Sequence, residues 1–536
     1  MRQPIAVRVI RGACLALTAA ASLIVAPRAR GQCDEPVEVQ KLIGSVTAME
    51  DRFGEGVATD GVRILVGAPG ENAGSVDSGA AYIFARQGGM WVEEARLTLP
   101  SPAPNSYMGA LLTVAIEGDT AVIGADGYSS QSGLVVIFKR QPDGTWAVGQ
   151  SLTSSSLSSA GRAVRLQGDR LLVGARNVSA SSGRLHVYKR TGGGPFALEQ
   201  TLAATPEQSN AFFGQHAAID GDTIVVGAQG ENSPATDAGA AYVFRFNGAT
   251  WTQQARLTAP DADANDLFGN DVGISGDTVA IGAWGEDTNG SDSGSIYIFS
   301  RDMSDAWVFA QKIMPSTPTP TAAFGARLQL SGEMLLASAN GFDGLASDGG
   351  AAFLFRRNAG VWAQSDMLVP NDPGDTDNFG ASVSLAGTVA VAGSFFDNNV
   401  AGTHAGSAYV FDLDPVGLTI EDQPDSVSTG PGQTAQFTVA VSGTGPIAYQ
   451  WRRSGVALQD NFPFSGANTA TLTINPTFVD FGGTYGCVIS NVCGSMVTTD
   501  PATLAVPYCT GDGNASRTVT FDDILAALAN FGGVCP

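Results

Sequence analysis

Cysteine, lysine and histidine are scarce in this chain of 536 residues, and each scarcity excludes something. None of the six cysteines lies between Cys33 and Cys487, so most of the chain must hold together without internal disulfides. The three histidines, His186, His216 and His404, stand far apart and show no metal-ligand spacing. Basic residues number 29 against 51 acidic ones, a formal charge of −22, so binding nucleic acid through its phosphates would meet net repulsion. Beyond the first thirty residues no apolar run approaches the roughly 20 residues that a membrane span requires. No catalytic constellation is visible either, since the Ser and Asp residues fall where turn chemistry explains them.

What is abundant is repetition. Phe-Gly or a variant places glycine at 54, 109, 161, 214, 269, 325 and 380, at intervals of 52 to 56 residues. A Gly-Ala marker follows at Gly67, Gly124, Gly174, Gly227, Gly282, Ser338 and Gly393, and an aromatic strand follows that. Periods of this size mean an array of supersecondary units that bury their apolar faces against one another. In the fifth copy four β-type runs, 270–275, 278–283, 295–301 and 307–313, are separated by turn residues, which predicts one four-stranded sheet per copy. The third run, Ile296-Tyr297-Ile298-Phe299, does not alternate with polar residues, so neighbouring sheets must cover both of its faces. Seven sheets stacked around an axis give an all-β fold, a seven-bladed β-propeller. The seventh copy lacks a fourth strand. Residues 37–43, whose Gln40-Lys41-Leu42 repeats the texture of Gln311-Lys312-Ile313, are expected to supply it and close the ring.

Phe53-Gly54 with Gly67-Ala68-Pro69 resembles the FG-GAP repeat of integrin-α-type propellers. The resemblance covers residues 37–413, although the segments matching the family's calcium loops, such as Asp220-Gly221-Asp222-Thr223, are too short to wrap an ion. Residues 418–506 resemble an immunoglobulin-like domain, with Trp451 as its core tryptophan and Tyr485, two residues before Cys487, as its tyrosine corner. Phe437 replaces the partner cysteine of that family. The last segment resembles half of a type I dockerin, an EF-hand-type loop in which Asp512, Asn514, Ser516, the Thr518 carbonyl, Thr520 and Asp523 would bind calcium. Arg517 stands where the sharp turn wants glycine, and Thr520 with Asp523 also reads as a helix capping box.

The expected organisation is a secretory signal peptide over 1–31, a propeller over 32–414, an immunoglobulin-like domain over 415–506 and a dockerin-like calcium tail over 507–536. Loss of the signal removes Cys14 and five arginines, leaving a mature chain near −27 with no membrane span. Disulfides are expected between Cys487 and Cys493 and between Cys509 and Cys535, each pair bracketing a compact unit. Cys33 is then left free or paired between chains.

Copies two and three are degraded, with shortened loops, so the long loops of copies one and four to seven form the expected working face. Two acidic sets stand out on it: Asp261, Asp263 and Asp266 with Glu231 and Asp237, and Asp372, Asp375 and Asp377 with Asp343 and Asp348. They read as a surface for cations or a cationic partner, or as solvated turns. The tryptophans that open the fourth strands read as packing or as sugar platforms. The function that fits is a secreted or cell-surface, non-enzymatic binding and adhesion protein for an extracellular protein or glycan, attached through its tail to a cohesin-like or cell-wall partner. A matrix component is one alternative, and a propeller hydrolase or lyase acting on polysaccharide is another.

Overall fold

Short turns and β-branched runs make each repeat a four-stranded antiparallel sheet. The computed structural model of the chain describes residues 33, 35–131, 133–153 and 161–507. The expected signal peptide and calcium loop, including Cys509, Asp512, Asn514, Ser516, Thr518, Thr520, Asp523 and Cys535, lie outside the described residues. In the fifth repeat Val272–Ser275, Thr278–Ala283, Ser295–Arg301 and Trp307–Ile313 pair in chain order. Gly276, at φ +55°, closes the first hairpin. Seven such sheets are present among the described residues. The first strand of each sheet touches the first strand of the next, and Ser382–Ala386 of the seventh returns to Val57–Thr59 of the first. This arrangement is consistent with a β-propeller.

Closure follows the expectation. Val37–Leu42 pairs antiparallel with Ser407–Asp412, from Val37 opposite Asp412 to Leu42 opposite Ala408, and completes the seventh sheet. Gln40 then clamps the backbone of Trp91 in the next sheet, accepting from its N–H and donating to its carbonyl at 2.8 Å each. Gln200 on Trp251 and Gln311 on Trp362 do the same. Trp91, Trp251, Trp307 and Trp362 are buried, and an arginine lies over Trp251, Trp307 and Trp362, so these rings serve packing between sheets.

The two glycine markers share one cause. A Cβ on Gly67 would lie 1.8 Å from the carbonyl oxygen of Gly109 in the next sheet, and one on Gly393 would lie 1.8 Å from that of Gly54. Gly54 itself sits at φ +93°, where a side chain is strained and would strike the Ser407 carbonyl. The preceding Phe53, Phe213, Phe268, Phe324 and Phe379 have no exposure. Phe53, Phe213, Phe268 and Phe379 meet the third-strand tyrosine of their own sheet edge-on, as Phe268 does Tyr297 at 5.4 Å, and Phe324 meets Phe353 at 5.9 Å.

Residues 418–506 form a separate sandwich. Trp451 is fully buried, and the Tyr485 hydroxyl donates to the Phe481 carbonyl at 2.7 Å, the corner expected of it. Phe437 stacks on Tyr485 at 4.8 Å and fills the space of the family's disulfide.

The expected bridge between Cys487 and Cys493 does not form, nor is Cys33 free. Cys33 is bonded to Cys493, and Cys487 is a buried free thiol. Hairpin register is the reason. Gly483–Asn491 pairs with Met496–Thr498 with Val488 opposite Thr498, so Cys487 meets Thr499, whose hydroxyl accepts from the Cys487 N–H at 2.9 Å. Cys493 lies in the turn beyond the strand, while burial pushes the Cys487 thiol up to about 11. Non-reducing peptide mapping should recover a Cys33–Cys493 cross-link. Cys487 should resist iodoacetamide until the chain is denatured; labelling of Cys487 in the folded protein would contradict this placement.

Candidate functional site

The loop face carries the acidic residues, and the fold supplies partners for most of them. Glu231 is buried, accepts from the Tyr242 hydroxyl and pairs with Arg256, whose Nε donates at 2.7 Å. Glu71, Tyr82 and Arg96 repeat this unit in the first sheet. In the fifth, Lys312 Nζ joins Asp261 at 2.8 Å to Glu286 at 2.9 Å, over the Tyr297 ring. In the seventh, Lys41 joins Asp372 at 2.7 Å to Asp397 at 2.9 Å, and the Tyr409 hydroxyl donates to Asp372. The sixth sheet replaces all three members with Phe342, Phe353 and Met367, so acid, tyrosine and base change together.

The remaining predicted residues act on backbone. Asp266 accepts from the Asp263 N–H at 2.7 Å and Asp377 from the Gly374 N–H at 2.8 Å. Asp343 accepts from the Asp348 N–H at 2.7 Å, and Asp375 from the Ser347 N–H at 3.0 Å. Asp237 and Asp348 adopt φ near +49°, a region Asp tolerates, and their carbonyls accept from Leu267 and Asn378 of the following sheet. Burial, opposed by the Asp263 N–H and reinforced by Glu286, raises Asp266 to about 6; burial likewise raises Asp51 to about 6. Among the described residues no group of three or more His, Cys, Asp or Glu side chains is placed to hold a metal ion.

Two cavities lie elsewhere on the ring. A cavity of about 380 Å³ is lined by Arg52, Glu55, Tyr107, Asp126, Arg162 and Arg176 from the first three sheets. A second, of about 320 Å³, is lined by Gln229, Asn270, Trp284, Arg327 and Asn340 from the fourth to sixth. Eight of these eleven residues obey one rule. Glu55, Arg162 and Asn270 directly follow the Phe-Gly marker, and Asp126, Arg176, Gln229, Trp284 and Asn340 directly follow Gly-Ala. The markers are held by backbone contact, and the next residue, at equivalent places around the axis, differs from copy to copy. That variation is the sequence signal that picks out these two cavities.

Beside the first strands, His216 Nδ1 lies 3.1 Å from Asp271 Oδ1, and the other Asp271 oxygen accepts from the Leu328 N–H at 3.0 Å, so residues of three consecutive sheets meet there. Burial, opposed by Asp271 and aided by Arg327 and Arg165, depresses the His216 pKa to about 4.

Arg256→Met alone strands a buried carboxylate and should cost roughly 3 kcal/mol, whereas Glu231→Phe, Tyr242→Phe and Arg256→Met together, copying the sixth sheet, should recover most of it. A triple variant no more stable than the single one would refute the triad as a unit. For His216, the unfolded chain gains a proton near pH 6.5 that the folded chain refuses until about 4, so this group's stability is present above 6.5 and falls with acid through that window. Asp51 and Asp266 act oppositely, losing stability as pH rises toward 6. The difference in Tm between the wild type and His216→Gln should therefore slope between pH 6.5 and 4; a flat difference sinks the assignment.

Comparison with known families places the same units on the chain. The FG-GAP repeat matches residues 36–84, 196–244, 251–299 and 362–411, and the immunoglobulin I-set domain matches residues 418–506. Each repeat match runs from the fourth strand of one sheet through the third strand of the next. The matched copies, one, four, five and seven, are those that keep the acid, tyrosine and base. Among solved structures, titin M4 in its trigonal form is 31% identical over 17% of this chain and 98% of its own, with a TM-score of 0.16. The twitchin kinase region of C. elegans is 24% identical over 17% of this chain and 16% of its own, also at 0.16. No curated protein matches. Four FG-GAP repeats and one immunoglobulin I-set domain are thus present in this chain.

Proposed function

We propose that this is an exported binding and adhesion protein, with no enzymatic activity of its own, that recognises an extracellular protein or glycan. In this reading residues 32–414 are a seven-bladed propeller serving as platform, 415–506 are a spacer, and 507–536 attach the protein through a weak calcium loop. The observation that carries it is the copy-to-copy variation of the side chains that line the two cavities in an otherwise repeated scaffold, since binding residues reside on variable positions of rigid frames. FG-GAP and immunoglobulin domains together form an adhesion-type architecture, and a disulfide suits an oxidising, extracellular compartment. No helix among the described residues is long and apolar enough to cross a membrane.

Screening the mature chain against cell-surface glycans and matrix proteins, with and without calcium, should find saturable binding by at least one class. Turnover of a polysaccharide would replace this reading with a hydrolase or lyase. Concentration-dependent self-assembly without ligand binding would replace it with a matrix component.

A further inference from the structure

We infer that the cavity between the first three sheets binds a saccharide carrying a singly charged oxyanion, a carboxylate or a sulfate ester; this rests on the platform reading above. The first argument is charge. The chain has 51 acidic residues against 29 basic ones, yet three guanidiniums, Arg52, Arg162 and Arg176, face two carboxylates, Glu55 and Asp126, in this cavity. Two are paired within the site, Arg52 Nη1 with Glu55 Oε2 at 3.2 Å and Arg162 Nη1 with Asp126 Oδ2 at 3.1 Å. One positive charge is left over.

That charge is Arg176. Among the described residues no carboxylate lies within 4 Å of it. Its Nη1 donates to the Gln215 amide oxygen at 3.0 Å, its guanidinium lies 5.9 Å from the centre of the Phe212 ring, and its Nε–H is buried without an acceptor among the described residues. Burial and the neighbouring Arg162 charge press its pKa below the ordinary value, opposed by the more distant Asp126 carboxylate. Packing does not require arginine here, since the equivalent residues of the other copies are Pro69, Asp126, Gln229, Trp284, Asn340 and Phe395. A monoanion lying between Arg162 and Arg176 would bring the site to neutrality, relieve the like-charge pair and accept from the planar guanidinium fork. A phosphate ester, at roughly −1.5 to −2, would overshoot.

The second argument is size and lining. About 380 Å³ is at the lower end of small-molecule sites, roughly 300–1,000 Å³, and holds a sugar unit or two, more than an Asp or Glu side chain fills. The walls are polar, with Tyr107 as the aromatic surface, which suits a hydroxylated ligand better than an apolar one.

The test is calorimetry on the mature chain with trigalacturonate, a 4-sulfated galactose trisaccharide, neutral galactotriose and triglutamate peptide. Saturable heat is expected with one or both anionic sugars, which identifies the oxyanion, and none with galactotriose. Arg176→Gln should weaken binding about tenfold or more, and Arg162→Gln with Arg176→Gln should abolish it. Arg176→Lys should restore part of the affinity. Tm should move by no more than about 2 °C in the single variants. The inference is overturned if neither anionic sugar binds at millimolar concentration, if galactotriose or triglutamate binds as tightly, or if Arg176→Gln in a folded chain binds like the wild type. A partner found by the wider screen and still held by the double arginine variant would leave the platform reading standing and remove this site alone.

Discussion

Everything in the ring depends on how closely two backbones can approach. The carbonyl oxygen of one Phe-Gly glycine enters the space where the neighbouring sheet's Gly-Ala glycine has no side chain, and the contact recurs from Gly67 with Gly109 to Gly393 with Gly54. Close-packed interiors tolerate few voids and fewer overlaps, so a methyl group at such a seam would push whole sheets apart rather than move one side chain. Ser338 shows the limit of the rule: in the sixth sheet its hydroxyl is turned to accept from the Arg327 N–H at 2.8 Å. With the axis set by glycine, residues just outside it are relieved of packing and free to differ.

Charge is handled by compartments. The buried carboxylates Glu71, Glu231, Glu286 and Asp397 of the loop face each meet an Arg or Lys of an adjoining strand. Where a sheet gives up this unit it does so completely, either with apolar rings, as at Phe342 and Phe353, or with the cavity beside copies two and three. Loss of the repeat pattern is therefore not decay alone. The cavity of about 380 Å³ is lined in part by these two copies.

The repeat, its strands and the closing segment were legible because each rests on local rules: turn glycines, unbroken apolar strands, and the Gln40-Lys41 pair that does in the seventh sheet what Gln311-Lys312 does in the fifth. Tyr485 and Trp451 were legible for the same reason. The partner of Cys493 was not, since closeness in sequence pointed to Cys487 while hairpin register left that thiol buried in the core, and the true partner stands 460 residues away. The acidic loops drew notice by their number, but most of their carboxylates are held by the fold's own backbone and cations. Arg162 and Arg176 passed unremarked because they sit in copies that fit the pattern worst.

The disulfide gives the immunoglobulin-like domain a second attachment to the ring. One is the chain itself, continuing from Asp412, where Thr444 of the domain donates to the Asp412 carboxylate at 3.0 Å; the other runs through Cys493 to Cys33, just ahead of Val37. Val37 and Asp412 are partners at the same end of one ladder. Tension applied through the domain is then shared by both strands from the same end and pulls them in the same direction. The hydrogen bonds that close the ring are spared shear, and a mechanical load reaches the circle as a whole instead of peeling off its last strand.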